Sequence, residues 1–518
     1  MKRGRKDFFS GVLLLTLSAM AAKICGSFFK IPLVSVIGDA GMGYFNSAYV
    51  IYTFFYVLST SGLPLGLSIL VSGSLTKGEQ NRYLTASLVA FGGMGVLFGA
   101  LMFLFPGHLA LLVGNEGATR AIRVMAPGLL CVCLSGCVRG YFQGLRDMMP
   151  TAISQTIEAL VKTAGGLLLA RLAAVKGEDG AACAAAALFG VTLGSVCSLI
   201  YLLGCLYVHR KREETALLCK AQGGVYKRLI AVVLPVSMAS IVLSISSVID
   251  LSVMMHGLVK IGYSQQQANA LYGNYTGTAV SLFSLPPVLI APIASAIVPF
   301  LAQVSSEEKK ERCELSLRLT SLIAAPCAFG LLALSKPILV LLFGVQSGSM
   351  GAPLLQLLAP SVYLVALQTV SGSLLQASAV KSIPVGSLVI GALLKVAVCQ
   401  MLIGRLGIFA APLGTLFCYG VAAGINIFYC VKKRLLRLNF YKTLILPLFC
   451  GVLCGLCARG CYLLLGKSHV ATVLSIFIAA AVYLVLVLLT GAFDRRMAVL
   501  LPFLKKLDAV FYKKRRRS

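Results

Sequence analysis

Charge is what this chain has little of. Of its 518 residues only 12% are Asp, Glu, Lys or Arg, about half the roughly 25% usual in soluble domains. With 58% hydrophobic residues and a mean hydropathy of +0.91, there are too few polar groups to cover a soluble surface. The same figures exclude a disordered chain, a collagen-like chain and a disulfide-stapled secreted module. Acidic residues are the scarcest, 17 against 46 Lys and Arg. Titratable groups in the outer connections are few, chiefly Asp39, His108, Glu116, Glu178, Asp179 and His469. No nucleophile–base pair can be assembled from them, so an enzyme is not expected, and neither is a cofactor.

What remains is apolar helix. A bilayer core of about 30 Å needs about 20 apolar residues per span. Fourteen spans are expected near 8–36, 42–71, 83–105, 118–142, 149–172, 181–208, 229–256, 269–303, 314–344, 352–379, 383–404, 408–431, 443–466 and 470–492. Kinks are expected at Gly62-Leu63-Pro64 and at Pro286, Pro287, Pro292 and Pro299. The net charge of +29 would suggest nucleic acid in a soluble protein, but here its distribution decides. With both termini and every second loop assigned to the cytoplasm, that side collects 33 Lys and Arg, Arg139 and Arg146 included, and the outer loops five. This asymmetry sets orientation and predicts a multi-pass cell-membrane protein with both termini cytoplasmic. The first span imitates a signal peptide, yet its apolar stretch continues to Val36. The tail Lys513-Lys514-Arg515-Arg516-Arg517 reads either as a topogenic tail or as a binder of anionic lipid head groups.

A repeat lies within the chain. Gln143 to Lys162 and Gln376 to Lys395 share Gln, a polar turn, Pro150 or Pro384 opening a helix, and a closing Lys at the same distance, offset by 233 residues. The expected architecture is therefore an all-α polytopic membrane protein with 14 transmembrane helices. Two six-helix lobes form a parallel repeat, followed by two C-terminal helices. The boundaries are 1–208 for the N-terminal lobe, 209–228 for a cytoplasmic linker, 229–431 for the C-terminal lobe, 432–492 for the last two spans and 493–518 for the basic tail. Such a repeat places a working cavity between its lobes.

Ionisable residues inside spans are costly, at least ~2.5–3.5 kcal/mol on insertion scales. Lys23, Lys30, Lys162, Lys395 and Asp250 lie there. If these groups line one space, its net character is cationic and suits a diphosphate. Alternatives stay open at this stage. Glu158 stands four residues before Lys162 and fits an i,i+4 pair; Lys30 fits snorkelling to the outer interface; Asp250 fits either a structural partner of a lysine or a coupling-cation site. Asp39, in an expected outer turn Gly38-Asp-Ala-Gly41-Met-Gly43, is a further candidate charge partner. Asn274, in a glycosylation-like triplet Asn274-Tyr275-Thr276 buried in a span, is expected to supply polar groups to the cavity. Cys450, Cys454, Cys457 and Cys461 follow one helical stripe and are read as a small-residue packing face, not metal ligands.

Phe29-Lys-Ile-Pro-Leu33, Ile37-Gly-Asp-Ala-Gly41-Met-Gly-Tyr44, Gly62-Leu-Pro-Leu-Gly-Leu-Ser68, Arg139-Gly-Tyr-Phe-Gln-Gly144 and Met149-Pro150 resemble the stage V sporulation protein B type of polysaccharide biosynthesis protein. That group lies in the MATE-like multidrug/oligosaccharidyl-lipid/polysaccharide exporter superfamily and is similar to MurJ-type lipid II flippases. The resemblance implies a V-shaped pair of six-helix lobes and alternating access. It further implies a polyprenyl-diphosphate-linked glycan as substrate, carried from inner to outer leaflet. Membrane potential or an H+ or Na+ gradient would drive it, in a monomer working beside cell-wall synthesis proteins. Basic residues of span 1 contact the diphosphate in those flippases, which points to Lys23 and Lys30. Their basic residue of span 8 has no counterpart here, where Asn274, Tyr275 and Thr276 stand. The other readings are a cation-coupled multidrug antiporter of the same superfamily, and a membrane scaffold without transport.

Overall fold

The computed structural model describes residues 2–213, 223–290, 294, 306–378, 380, 382–436 and 439–493; side chains of residues 2–24 lie outside the description. Pro292, Pro299, Lys381 and the basic tail fall outside it as well. Among the described residues there is no strand. The helices are α1 (Lys2–Thr60), α2 (Leu63–Gly73), α3 (Lys77–Leu104), α4 (Pro106–Leu112), α5 (Thr119–Gly144), α6 (Met149–Val175), α7 (Gly180–Glu213), α8 (Gly223–Lys260), α9 (Gln265–Asn274) and α10 (Val280–Phe283). They continue as α11 (Ser306–Ala333), α12 (Ser335–Phe343), α13 (Val345–Ala377), α14 (Ser382–Leu406), α15 (Ala410–Lys432), α16 (Leu446–Leu464) and α17 (His469–Leu489).

Ten stretches of described residues are long and apolar enough to cross a bilayer, and two of them, Phe28–Gly73 and Ser382–Lys432, each take in two consecutive helices. Their outer faces carry large exposed apolar side chains, among them Phe103, Ile200, Met401, Phe477 and Leu489. Such faces are at rest only against hydrocarbon, where each helix satisfies its own backbone hydrogen bonds. The chain is a multi-pass membrane protein.

By packing, the chain divides into two compact units, residues 1–277 with 402–408, and residues 278–401 with 409–518. In the first unit α5, α6 and α7 form the densest part, with α1, α2 and α3 laid against them and α8 and α9 packed on α1. Two backbone irregularities shape α1 and its continuation. Gly38 takes φ +69°, a left-handed value that costs glycine nothing, and parts α1 into two helices across a kink. The rings of Phe29 and Phe45 lie 6.2 Å apart, so the chain folds back at the expected turn 38–43, of which Gly38 alone leaves helical geometry. Gly62 takes φ +85° and Pro64 opens α2, which puts the second break where the Gly-Leu-Pro signal sits. In the second unit α11, α13, α16 and α17 enclose an apolar core that includes Leu317, Leu322, Leu367 and Leu374. Tyr483 on α17 closes it by donating to Leu322 O at 2.7 Å. Cys450 and Cys454 are buried there and Cys457 and Cys461 half-buried, and Cys454 Sγ reaches Ala479 O at 3.4 Å. The stripe is a packing face; among the described residues no group of His, Cys, Asp and Glu could hold a metal.

The repeat is visible in how two helix pairs pack. A Cβ added at Gly190 of α7 would sit 2.4 Å from Gly166 Cα and 3.1 Å from Lys162 O on α6. One added at Gly414 of α15 would sit 3.2 Å from Lys395 O on α14. One turn before each lysine the backbones touch again, at Gly194 against Glu158 O (2.8 Å) and at Gly391 against Cys418 O (2.6 Å). In lipid, where apolar burial drives little association, such small-residue contacts let dispersion and backbone proximity hold helices together. Gly190→Val forces α6 and α7 apart, an overpacking cost of about 1–3 kcal/mol. The expected result is a lower melting temperature of the purified protein in detergent, while substitution at Gly93, which faces open space, leaves it unchanged.

Candidate functional site

The site is built on one face of α1 after its break. Phe45, Tyr49, Tyr52 and Tyr56 recur at helical spacing and their rings run in sequence along the helix, with centroids 6.0 Å (Phe45–Tyr49), 6.3 Å (Tyr49–Tyr52) and 6.3 Å (Tyr52–Tyr56) apart. Asn46 belongs to the same surface. Two lysines from different segments end on it. Lys30 does not snorkel outward: its Nζ donates to Asn46 Oδ1 at 3.3 Å and to Thr276 O at 3.4 Å. Lys162 comes from α6, donates to Tyr49 Oη at 3.1 Å and lies 4.8 Å from the centre of that ring. Asn46 and Tyr49 are three residues apart, which on a helix makes them neighbours roughly 5–6 Å apart, so both lysines end on one patch of α1.

Glu158 is not the partner of Lys162. Its Oε2 accepts from Arg139 Nη2 at 2.7 Å, and Arg139 is tied further by Nε to Ser154 Oγ (3.0 Å) and by Nη2 to Ser198 Oγ (2.7 Å). The i,i+4 alternative is thereby corrected. An arginine outcompetes the lysine because its fork reaches carboxylate and hydroxyls together. Arg139, which the charge distribution assigned to the cytoplasmic side, stands inside the first unit in an ion pair. Among the described residues, Lys30 and Lys162 each have only neutral acceptors: an amide, a carbonyl and a phenol. Neutral acceptors leave an ammonium group its charge, so an incoming anion is attracted to this patch.

Beside the lysines lies a second polar cluster. Asn274, the last residue of α9, is buried and donates from Nδ2 to Asp39 Oδ2 at 3.1 Å. It precedes a π-helical stretch, Tyr275–Ala279, whose Thr276 carbonyl is the one that receives Lys30. One turn earlier Asn269 donates to Ala40 O (2.7 Å) and accepts from Asn115 Nδ2 (2.7 Å), which also reaches Ser47 Oγ at 2.8 Å. The helices are in backbone contact here: a Cβ at Gly273 would fall 1.9 Å from Asp39 O.

Of the residues singled out from the sequence, Lys30, Lys162, Glu158, Asp39 and Asn274 gather in the first unit. Asp250 is half-buried on α8 of that unit. Lys395 is half-buried on α14 of the second unit, its stem against Gly414. Lys23 lies on α1 with its side chain outside the described part. Sequence reasoning missed Asn46, Tyr49 and Arg139. The Phe45/Tyr49/Tyr52/Tyr56 spacing was a usable signal for the tyrosine face; for the pairing of Arg139 with Glu158 there was none.

This arrangement defines an all-helical membrane protein of transporter fold. A solved structure of the lipid II flippase MurJ in an inward closed conformation matches at a TM-score of 0.73, with 14% identity, covering 92% of this chain and 98% of that one. An inward-facing multidrug resistance MATE family transporter of the MOP superfamily matches at 0.65, with 15% identity over 80% and 94%. The polysaccharide biosynthesis protein family model matches residues 8–305, and the chain belongs to that family. Among its relatives from Bacillus subtilis (strain 168), the membrane protein YabM is 25% identical over 97% of this chain and 96% of its own length. Stage V sporulation protein B is 24% identical over 93% and 95%, and the lipid II flippase MurJ 26% over 82% of each.

Asn269 is fully buried and bridges two elements. Asn269→Ala leaves Ala40 O without its side-chain donor and removes one of the two acceptors of Asn115 Nδ2, an expected loss of about 1–3 kcal/mol. It should appear as a lowered melting temperature in detergent.

Proposed function

We propose that the protein is a flippase that moves a polyprenyl-diphosphate-linked cell-wall precursor or polysaccharide unit, lipid II-like, from the inner to the outer leaflet by alternating access. The observation that carries this reading is that Lys30 and Lys162, from different segments, end on Asn46 and Tyr49 of one helix, and that their acceptors among the described residues are neutral. A diphosphate supplies the missing negative charge and accepts from both ammonium groups by charge-assisted hydrogen bonds. The neutral amide and phenol beneath them hold the lysines in place without discharging them. The likeness to a lipid II flippase and to a sporulation protein supports a lipid-linked glycan as cargo. Lys23 and Lys395 are assigned to the same task, with Asp39 and Asp250 as candidates for coupling to membrane potential or to an H+ or Na+ gradient. The work is transport, not catalysis, done by a monomer with both termini cytoplasmic, in the company of cell-wall synthesis proteins.

The second reading is a cation-coupled drug antiporter, favoured by the MATE likeness. It asks for carboxylates available to organic cations. Glu158 instead holds Arg139 and Asp39 accepts from Asn274, so the flippase is the better reading.

Complementation of a bacterium depleted of its lipid II flippase tests the choice. Wild type is expected to restore growth, and Lys30→Ala and Lys162→Ala to reduce rescue at least tenfold at equal membrane levels; Lys23→Ala and Lys395→Ala are expected to weaken it. Rescue indifferent to Lys30 and Lys162 would remove the diphosphate site. Resistance to cationic drugs without rescue would establish the antiporter.

A further inference from the structure

Glu158 poses a physical problem for a cationic site. It lies on α6 one turn before Lys162, acid N-terminal to base at i,i+4, the orientation that pairs best on a helix. Such a pair would neutralise half of the Lys30–Lys162 cluster. The pair does not form because Arg139 reaches across from α5 and takes the carboxylate at 2.7 Å. Its guanidinium is only 11% exposed and is fixed to α6 and α7 by Ser154 and Ser198.

The second unit supplies an independent comparison. With the repeat offset, Arg139 corresponds to Gly372, Glu158 to Gly391, Ser154 to Ser387 and Lys162 to Lys395. There the junction is neutral: Ser387 Oγ donates to Asn426 Oδ1 at 2.8 Å, and Asn426 Nδ2 donates to Gln368 O at 3.4 Å. A Cβ at Gly372 would lie 3.5 Å from Asn426 Nδ2, so the amide occupies the room that the arginine uses in the first unit. The same helix-pair geometry therefore forms without an acid–arginine pair. Acid and arginine are present together in one copy and absent together in the other, which is what is expected if the arginine answers to the acid.

We propose that Arg139 is a positioning residue: by holding the Glu158 carboxylate away from Lys162 it keeps the Lys30–Lys162 pair cationic for a phosphorylated lipid headgroup. The inference rests on the flippase reading. Glu158 is then the internal competitor of the substrate anion, and a transfer of its carboxylate from Arg139 to Lys162 would discharge the site and favour release.

The test uses the full chain in lipid nanodiscs and undecaprenyl diphosphate as the probe. Arg139→Met should weaken binding at least tenfold, and adding Glu158→Gln should restore it to within threefold of wild type. A role in packing alone would not be rescued in this way. Glu158→Gln by itself should bind two- to fivefold tighter. Wild-type affinity in Arg139→Met, no recovery in the double variant, or a tenfold loss in Glu158→Gln would each overturn the proposal. If Arg139→Met does not fold, the double variant decides, since it leaves no unpaired buried charge: affinity within threefold of wild type supports the proposal, and a tenfold loss in folded protein overturns it. Lys162→Ala separates the two levels. A tenfold loss there with none in Arg139→Met removes the positioning role and leaves the cationic site standing. No loss in Lys162→Ala removes the site, and the positioning role with it.

Discussion

An ammonium group taken out of water must be solvated by something, and the choice of what solvates it decides what the site can do. A carboxylate solvates it best and cancels it. Neutral oxygens hold it in place and leave its field intact. In the first unit Lys30 and Lys162 are given the second treatment, by Asn46, the Thr276 carbonyl and Tyr49. The surrounding elements follow from that need. The break at Gly38 separates the segment carrying Lys30 from the face carrying its acceptor. The π-helical stretch after Asn274 offers a carbonyl at the right place, and Gly190 and Gly194 let α7 approach the backbone of Lys162.

Much of the fold was legible because lipid leaves few options. Scarce charge and long apolar runs dictate helices, and the lysine-bearing repeat at Lys162 and Lys395 reappears as two helix pairs packed through glycine beside each lysine. The Gly62-Leu-Pro64 kink was readable because both residues act locally on φ. The turn at Gly38 was readable for the same kind of reason. A cluster of three glycines looks like a turn, but only one of them leaves helical geometry, while Gly41 and Gly43 serve close approach to neighbouring helices.

The site was half legible. Ionisable residues inside spans mark themselves, so Lys30, Lys162, Glu158, Asp39 and Asn274 could be named. Their pairing could not. Glu158 had one candidate partner four residues away along the chain and another nineteen residues away on a different helix. Only the three-helix junction of α5, α6 and α7 decides between them, because it alone brings Ser154 and Ser198 to the same guanidinium. Asn46 and Tyr49 were invisible for a related reason: an amide or phenol on an apolar helix carries no signal until a charge is found resting on it.

The turn at Gly38 lays the two arms of α1 side by side. Lys30 stands eight residues ahead of Gly38 and Asn46 eight residues after it, each about 12 Å along its own arm. Even so, Lys30 Nζ lies 3.3 Å from Asn46 Oδ1 and the rings of Phe29 and Phe45 lie 6.2 Å apart. Asp39, just past the turn, stays locked to α9 by backbone contact at Gly273 and by Asn274. One residue therefore sets where the charge meets its acceptor: a residue added to either arm would turn Lys30 off Asn46 by about 100° of helix.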